Sequence, residues 1–521
     1  MDPAVSLEIE RKYDVADGAP VPLIAGTHPI VSQDAPEVVE LSATYFDTDR
    51  ADLAAARITL RQRVGGHDEG WHVKLPASMG RTEMHWPLGD IGTEVPVSVS
   101  DAVRVHVRDR SLRPIARLET NRRTQTLRAA EDVAVAEICD DRVSAESLHD
   151  GQRRQWREWE LELLPDAAAS GLSPEALLDS IEGALKRGGA LPPRSVSKLA
   201  RAMGKDLPTA DSATAESDAD ATALIALQSI LSGLVAALKS QDPRVRADEP
   251  GSVHAMRIVI RKLRSVLRTY RAVLDRSTVD TLRQRLRVFG AALGAARDSE
   301  VRRDRAIDHL ESSTAENRTG LKRVADRYAQ AYAEAHEQVA GLLDSADYFR
   351  LLDDLDVLSR QPPAGKRATE NGVEVLRRGI RTDLRRLKHL AAANEQPELR
   401  PDALLLLRHD VRKAARRLRY SAEAAREFAP SVFGAETLAL AELGHTIQSE
   451  LGEQRDSQLF AVLLRDEATD AYPAERKALK EARRGEKELA RRATARYRKT
   501  LGRLSKAKPP ALSSKDQTPP V

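Results

Sequence analysis

An internal repeat constrains the second half of this chain more than any other feature of its sequence. The pattern H-x-x-R-x-x-x-R-[RK]-L-R begins at His254 and again at His409, 155 residues later. A second pattern, L-G-x-x-R-D-S, begins at Leu293 and again at Leu451, 158 residues later. Because the two separations differ by only three residues, the sequence predicts one helical module that is present twice.

The basic residues of each copy recur at alternating steps of three and four, so on an α-helix they form one stripe. The stripe residues are His254, Arg257, Arg261, Arg264 and Arg268, and then His409, Arg412, Arg416 and Arg419. No acid lies between residues 251 and 274 to pair with the first stripe. A solvated face would explain one such stripe, but its repetition favours an anion-binding surface. Four helical turns give a track about 20 Å long, which suits a linear polyanion.

The first third of the chain is of a different fold class. It holds all four tryptophans, whereas residues 251–361 contain no proline and have helical spacing. Its segments SLEIERKYDV, RITLRQRV, WHVKLP and WELELL alternate apolar and charged residues, as β-strands do. These charged faces either point to water or line the lumen of a barrel. In a lumen, the acids would hold a divalent cation and the bases a chain of phosphates.

The overall composition fits a globular protein of a reducing compartment. The chain has 82 basic and 79 acidic residues, and its 41% hydrophobic content argues against wholesale disorder. The single cysteine, Cys139, excludes an intramolecular disulfide and a cysteine zinc cluster. Since the chain has no run of eighteen apolar residues and has acids near its start, we expect a cytoplasmic protein without membrane insertion.

Changes in composition predict the domain boundaries. We expect a β-rich domain at 3–203, a flexible linker at 204–222, a helical domain at 223–506 with repeats at about 223–365 and 366–506, and a disordered tail at 507–521. The chain is therefore predicted to be a multidomain protein, with an α+β domain followed by an all-α domain.

The segment Glu8-Ile9-Glu10-Arg11-Lys12 resembles the N-terminal E-x-E-x-K signature of the CYTH family, the triphosphate tunnel metalloenzymes. The charged segments from Arg61 and Arg63 to Ser197-Lys198 follow the order of that family over residues 3–203. The resemblance implies an eight-stranded antiparallel β-barrel that forms a tunnel. It also implies hydrolysis of inorganic triphosphate or a related triphosphate with Mg²⁺ or Mn²⁺ as cofactor.

The same resemblance implies roles for individual residues. The implied metal ligands are Glu8, Glu10, Glu160, Glu162 and Asp140, and the implied phosphate-binding residues are Lys12, Arg61, Arg63, Lys74, Arg123 and Lys198. Glu137 competes with Asp140, because strand alternation places the two on opposite faces, and Arg122 is the alternative to Arg123. Glu8, Glu10 and Lys12 would be catalytic. Lys12 would contact phosphate, or would deprotonate water if nearby cations lowered its pKa.

The stretches from His254 to Arg271 and from His409 to Tyr420 resemble the CHAD family, the conserved histidine α-helical domains, over residues 223–506. The resemblance implies two four-helix bundles related by a pseudo-twofold axis, and a basic cavity that binds inorganic polyphosphate. It also suggests association with polyphosphate granules. We expect the two histidines to donate hydrogen bonds to phosphate or to pack at the cavity wall, and Asp298 and Asp456 to orient arginines.

Two other functions are compatible with the sequence: a non-catalytic polyphosphate-binding scaffold, and an adenylate cyclase, which shares the metal and the triphosphate. Residues 475–506 hold 13 basic residues and four acids, so this segment is predicted to be a second polyanion contact. The RNA backbone is an alternative partner for the basic surfaces, but these stripes have no interleaved aromatic residues for base stacking.

Overall fold

The computed structural model describes residues 3–77, 79–89, 94–204, 220–313, 318–394 and 400–510. The chain divides into two compact units, residues 1–213 and 214–521. Most of the predicted linker at 204–222 and of the predicted tail at 507–521 lies outside the described residues. Their predicted flexibility therefore stays a prediction.

The first unit is built on one curled antiparallel sheet. Its strands are β1 (Ala4–Glu8), β2 (Glu10–Asp14), β3 (Ser32–Gln33), β4 (Glu37–Asp47), β5 (Thr59–Val64), β6 (Gly70–Pro76), β7 (Arg81–Trp86), β8 (Arg113–Arg128), β9 (Ala134–Ser147) and β10 (Arg153–Leu163). The strand order is β1-β7-β6-β5-β4-β8-β9-β10-β2, with β3 beside β8. Since Ile9 alone separates β1 from β2, both ends of the sheet lie on one interrupted strand. The sheet therefore curls around a lumen, which confirms the predicted antiparallel architecture.

Helices cover the apolar outer face of this sheet. They are α1 (Asp52–Ala55), α2 (Val97–Val107) and α3 (Pro174–Arg187), with short 3-10 helices at Ala130–Asp132 and Pro165–Ser170, whereas α4 (Lys198–Met203) lies on the lumen side. Trp159 and Leu161 of β10 pack with Ile181 of α3, while Trp71 of β6 packs with Val103 of α2. Because alternate residues point to opposite faces, this packing turns the charged residues of the strands toward the lumen.

The helix α4 closes one end of the lumen. Its Leu199 and Ala202 pack against Leu118, Val143 and Trp156, which lie on the lumen face of β8, β9 and β10. The helix begins where the hydroxyl of Ser197 accepts a hydrogen bond of 3.1 Å from the amide of Ala200. This cap holds the next residue, Lys198, at the edge of the apolar plug, facing the charged part of the lumen.

The second unit is all helical. Its described residues form nine helices: α5 (Ala223–Arg246), α6 (Ser252–Thr269), α7 (Arg276–Ser312), α8 (Thr319–Leu343), α9 (Ala346–Arg360), α10 (Gly372–Ala393), α11 (Pro401–Phe428), α12 (Ala435–Asp470) and α13 (Pro473–Lys506). Helices α5 to α8 pack in one four-helix group and α10 to α13 in a second. The predicted helical repeat is confirmed. The first group has one additional helix, α9, which packs on α5 and α7.

Among the described residues, one helix is long and apolar enough to span a membrane by length and composition. It is α5, with a mean hydropathy of 1.6 over its most apolar window. Its side chains Leu227, Leu231 and Leu238 are buried within the helical unit. In this structure the apolar face of α5 therefore forms part of the core of the first helical group.

Close helix packing at Gly444 generates a stability prediction. A Cβ added to Gly444 of α12 would lie 2.7 Å from the carbonyl oxygen of Ala415 in α11, whereas a Cβ on Gly233 of α5 would meet nothing within 4 Å. We expect Gly444→Ala to lower the free energy of unfolding by about 1–3 kcal/mol, because helix backbones must move apart. Gly233→Ala should raise it by up to about 1 kcal/mol through helix propensity. Urea unfolding measures both, and equal changes would contradict the packing argument.

Candidate functional site

The charged faces of the strands line one cavity in the first unit. Of the metal ligands and phosphate-binding residues that the family resemblance implies, nine line it: Glu8, Glu10, Lys12, Arg61, Arg63, Lys74, Glu160, Glu162 and Lys198. Strands β1, β2, β5, β6 and β10 and the start of α4 supply them. Residues 9, 60 and 161, which alternate with them, face the apolar exterior. The cavity therefore collects acids and bases from distant parts of the sequence.

The structure corrects two of the predicted positions. Arg122 lines the cavity, whereas Arg123 is exposed on the opposite face of β8. Asp140 also lies outside the cavity, because its carboxylate accepts hydrogen bonds of 2.7 and 2.9 Å from Arg157. Its neighbour Asp141 faces the lumen instead. Both corrections shift the predicted site by one residue, which on a strand exchanges the two faces.

The register of β9 also locates Glu137. It lies opposite Glu162 on the lumen side, and the hydroxyl of Thr126 donates to it at 3.4 Å. Glu137 is not among the residues that line the cavity, whereas Asp141 contacts two of its cations. Asp141 is thus the acid of β9 that joins the site, and the sequence analysis did not single it out.

Three acids and three bases form an inner cluster at the closed end of the lumen. The ammonium group of Lys198 lies 2.9 Å from Asp141, 2.8 Å from Glu158 and 2.6 Å from Glu160. Arg122 donates to Asp141 and to Glu160, each at 2.6 Å, and Lys12 donates to Glu160. Carboxylate oxygens of Asp141, Glu158 and Glu160 lie within 4.8 Å of one another, close enough to hold a metal ion.

The inner cluster fixes the protonation state of Lys12. Burial disfavours its charge, but the carboxylates of Glu160 and Glu10 outweigh burial and raise its pKa. In turn, the charges of Lys12, Lys198 and Arg122 hold the pKa of Glu160 well below its usual range despite burial. The prediction that nearby cations lower the pKa of Lys12 is therefore wrong in this structure. Lys12 keeps its proton, which fits a phosphate contact better than a general base.

A second group of acids is neutralised unevenly, because Lys74 contacts Glu8 and Lys12 lies 3.0 Å from Glu10, whereas Glu162 has no ion pair within the described residues. It consists of Glu8, Glu10 and Glu162, at the junction of β1 and β2 and opposite it on β10. Burial, followed by the charge of Glu8, raises the pKa of Glu162 to about 7. One oxygen of Glu8 is buried and makes no hydrogen bond within the described residues. Mutually repelling hard oxygen ligands with spare lone pairs fit a divalent cation such as Mg²⁺ or Mn²⁺.

Basic side chains line the wall of the cavity next to this second acidic group. Glu83 lies 3.7 Å from both Arg61 and Lys74, and it accepts at 2.8 Å from the ring nitrogen Nδ1 of His72 when that nitrogen carries the proton. Burial, together with the charges of Arg61 and Arg122, lowers the pKa of Arg63 to about 9. Lys74 also donates to Glu8 and Arg63 contacts Asp68, yet Arg63 still lies close enough to Arg61 and Arg122 to be repelled by both. The wall is suited to an anion with several charges.

The two basic stripes of the helical unit lie side by side, because α6 packs against α11. Burial and the nearby Arg257, Arg416 and Arg412 lower the pKa of Arg261 to about 9. The pKa values of Arg412 and Arg416 are lowered as well, first by burial. Arginines of both copies therefore face one another without enough acids to neutralise them.

The second repeated motif borders the stripes in a similar way in each copy. Asp298 accepts from Arg257 at 3.5 Å, as expected for an orienting acid, and Asp456 acts electrostatically on Arg412. Gly294 and Gly452 let the guanidinium groups of those two arginines lie against α7 and α12. The remaining predicted residues are placed as follows: His254 near Arg297, His409 beside Arg455, Arg264 near Arg283 and Arg287, and Arg268 near Arg283 and Arg417.

Arg419 differs from its repeat equivalent, Arg264. Its guanidinium donates to Glu423 at 2.6 Å and lies 2.8 Å from the ring nitrogen Nδ1 of His445. Arg419 is therefore engaged by a neighbouring acid, unlike Arg261 and Arg416.

The first unit is a sheet curled around a lumen of acids and bases, and the second is a duplicated helical unit with paired arginine stripes. Together they define a tunnel metalloenzyme fold joined to a basic helical domain. Family models agree with this description: a CYTH domain matches residues 6–199 and a CHAD domain matches residues 229–465. The chain belongs to the CYTH family in its first unit and to the CHAD family in its second. CYTH domains form a family of metal-dependent enzymes that act on triphosphates.

Known proteins resemble both parts of the chain. The uncharacterized proteins MT2285 and Rv2226, from two strains of Mycobacterium tuberculosis, are each 35% identical over 470 residues, which is 87% of this chain and 87% of each relative. Among solved structures, PptA from Streptomyces chartreusis is 19% identical with a TM-score of 0.45, covering 54% of this chain and 100% of its own. The CHAD domain of the plant Ricinus communis is 23% identical with a TM-score of 0.44, covering 57% and 96%.

The opposite orientations of Asp140 and Asp141 generate a matched prediction. We expect Asp141→Asn to weaken Mn²⁺ binding to the full chain by about tenfold or more, because a carboxylate of the inner cluster is lost. Asp140→Asn should leave Mn²⁺ affinity unchanged and lower stability by about 3 kcal/mol, because it leaves the buried Arg157 without its carboxylate. Calorimetric titration and thermal unfolding measure the two effects. Equal losses of Mn²⁺ affinity in both variants would contradict this placement of the metal-binding acids.

Proposed function

We propose that the first unit is a divalent-metal-dependent triphosphatase, which hydrolyses inorganic triphosphate or a related triphosphate, and that the helical unit binds inorganic polyphosphate. One observation carries the proposal for the first unit. A single lumen is lined by the carboxylates of Glu8, Glu10 and Glu162 and by the cations Arg61, Arg63 and Lys74. A phosphate chain complexed with a divalent cation has the complementary arrangement of charges.

The acids of the lumen would hold Mg²⁺ or Mn²⁺. Glu8, Glu10 and Glu162 offer hard oxygens at one position, and Asp141, Glu158 and Glu160 of the inner cluster offer them at a second. When bound, the cation would supply charge to the phosphoryl oxygens and lower the pKa of a coordinated water. The prediction that Asp140 belongs to this set is not retained, because Arg157 holds it on the other face.

The bases of the lumen would bind the phosphoryl oxygens. Arg61, Arg63, Lys74, Arg122 and Lys198 all line the cavity, and none of them needs to lose its proton to do so. Catalysis of phosphoryl transfer depends mainly on positioning and charge stabilisation, which fixed guanidinium and ammonium groups provide. Lys12 remains protonated, so its part in the reaction would be to donate a hydrogen bond to a phosphoryl oxygen.

The composition of the lumen favours a triphosphatase over an adenylate cyclase. Among the residues that line the cavity, Tyr45 is aromatic and Leu199 is apolar, while most of the others are charged. The hydroxyl of Tyr45 forms a hydrogen bond with Arg61, one of the proposed phosphate-binding residues. A nucleobase would need an apolar slot with a few polar contacts, which these lining residues do not provide.

The paired stripes support polyphosphate binding by the helical unit. Arg257 and Arg261 of α6 act electrostatically on Arg412 and Arg416 of α11, so a polyanion between them would relieve repulsion from both sides. A long unbranched phosphate chain matches a track about 20 Å long. In the cytoplasm, such binding would tether the enzyme to polyphosphate granules.

The adjacent residues Arg122 and Arg123 provide a test of the catalytic proposal. The full-length protein with Mg²⁺ should release orthophosphate from triphosphate. We expect Glu8→Gln and Arg122→Gln each to lower kcat/KM by about 10²-fold or more, because each removes charge stabilisation at the phosphates. Arg123→Gln, on the outer face of the same strand, should retain full activity and serves as the matched control.

Other products would contradict the proposal in defined ways. Cyclic nucleotide formed from ATP would support the cyclase. No turnover of triphosphate or ATP, together with polyphosphate binding that is lost in Arg257→Gln/Arg412→Gln, would support a non-catalytic scaffold. Equal activity losses in Arg122→Gln and Arg123→Gln would contradict the placement of the active site in the lumen.

A further inference from the structure

The outer face of α13 is strongly basic. Its exposed side chains include Lys477, Lys480, Arg484, Lys487, Arg491 and Arg498, which recur at helical spacing and form one stripe, here called the α13 stripe. The opposite face, with Ala478, Leu479 and Ala482, is buried. The amphipathic packing of α13 thus fixes the α13 stripe on the surface of the helical unit.

Two of the four acids of α13 are turned away from this stripe. Glu475 pairs with Arg323 at 2.9 Å, and Glu486 is buried and pairs with Arg305 at 2.7 Å. Within the described residues, Lys477, Lys480, Arg484 and Lys487 form no ion pair closer than 4.0 Å, and Glu488 lies 3.6 Å from Arg491. The charge of the α13 stripe is therefore largely uncompensated inside the protein.

A bridge of arginines connects the α13 stripe to the central stripes. Arg408 lies one helical turn before Arg412 on α11, and its Nε is buried without a hydrogen bond within the described residues. Burial and the neighbouring Arg498 of α13 lower the pKa of Arg408 despite the contact with Tyr497. Positive charge thus continues from Arg416 and Arg412 through Arg408 to Arg498.

The side chains on α13 identify the kind of polyanion. Tyr497 is buried, so the α13 stripe offers no aromatic surface between Lys477 and Arg498 for stacking bases. Leu489 is the large apolar side chain exposed on this helix, with an exposed fraction of 37%, which is too little for anchoring in a membrane. From Lys477 to Arg498 the α13 stripe extends about 30 Å. A flexible phosphate chain could follow it with its backbone charges alone.

We infer that α13 is a second binding segment for the polyphosphate chain held by the central stripes. This inference rests on the proposed polyphosphate binding by the helical unit. A short chain occupies only the central track, whereas a long chain continues over Arg408 onto the α13 stripe. Because the second contact is then intramolecular, it strengthens binding of long chains without affecting short ones.

A binding experiment with two chain lengths tests the inference. The full-length protein is titrated with a polyphosphate fraction no longer than about 20 Å and with a fraction several times longer. We expect the variant Arg484→Gln/Lys487→Gln/Arg491→Gln to weaken binding of the long fraction at least tenfold and of the short fraction less than twofold. It should also lower the salt dependence for the long fraction. Circular dichroism confirms that the variant is folded.

The matched control removes the same number and type of charges elsewhere. Arg276, Arg350 and Lys366 are exposed and lie outside α6, α11 and α13, so Arg276→Gln/Arg350→Gln/Lys366→Gln should leave both affinities unchanged. Equal weakening by the control, or unchanged long-chain affinity in the α13 variant, would overturn the inference while leaving central binding intact. Loss of single-stranded RNA binding with unchanged polyphosphate binding would overturn it in favour of RNA. If the unaltered protein binds neither fraction, the proposed function itself fails.

Discussion

Charges that are withdrawn from water must be compensated nearby, and the first unit is organised around this requirement. Glu160 is almost fully buried, yet its carboxylate contacts Lys12, Arg122 and Lys198. Such contacts let the sheet turn its charged face inward, and the apolar face then needs α2 and α3 as a cover. Where the pKa values of Glu162 and Arg63 indicate incomplete compensation, the proposed cation and phosphate anion would complete it.

The helical unit departs from that requirement, because its central charges are of one sign. The stability of α6 comes from its other face, where Met256, Ile260 and Leu263 are buried. The arginine stripe is therefore carried by apolar packing rather than by ion pairs. A net charge of only +3 for the whole chain conceals this segregation of charge, which is evident only when residues are assigned to helix faces.

Local periodicity predicted the classes of both units and the residues with even spacing, such as Glu8 with Glu10 and Glu160 with Glu162. It could not choose between Arg122 and Arg123 or identify Asp141. Where two neighbours on one strand are both charged, the register with the next strand is needed to decide which of them faces the lumen. The register also places Glu158 opposite Asp141. Because Glu158 lies two residues before Glu160, on the same face of β10, its spacing in the sequence could have identified it. The repeat likewise gave no indication of α9, which has no counterpart among the described residues of the second copy.

The apolar plug formed by α4 limits the length of phosphate chain that the lumen could hold. Leu199 and Ala202 fill the lumen against Trp156, so a chain that enters past Arg61 and Lys74 meets an apolar wall beyond Lys198. Under the proposed function, this lumen would therefore take a short triphosphate or one end of a longer chain, because a long chain could not pass the apolar wall. In the part of the chain that the structure describes, no such apolar wall ends the stripes of α6 and α11, and Arg408 of α11 lies near Arg498 of α13. Chain length would therefore decide which unit holds a phosphate polymer, with short triphosphates in the lumen and long chains along the helices.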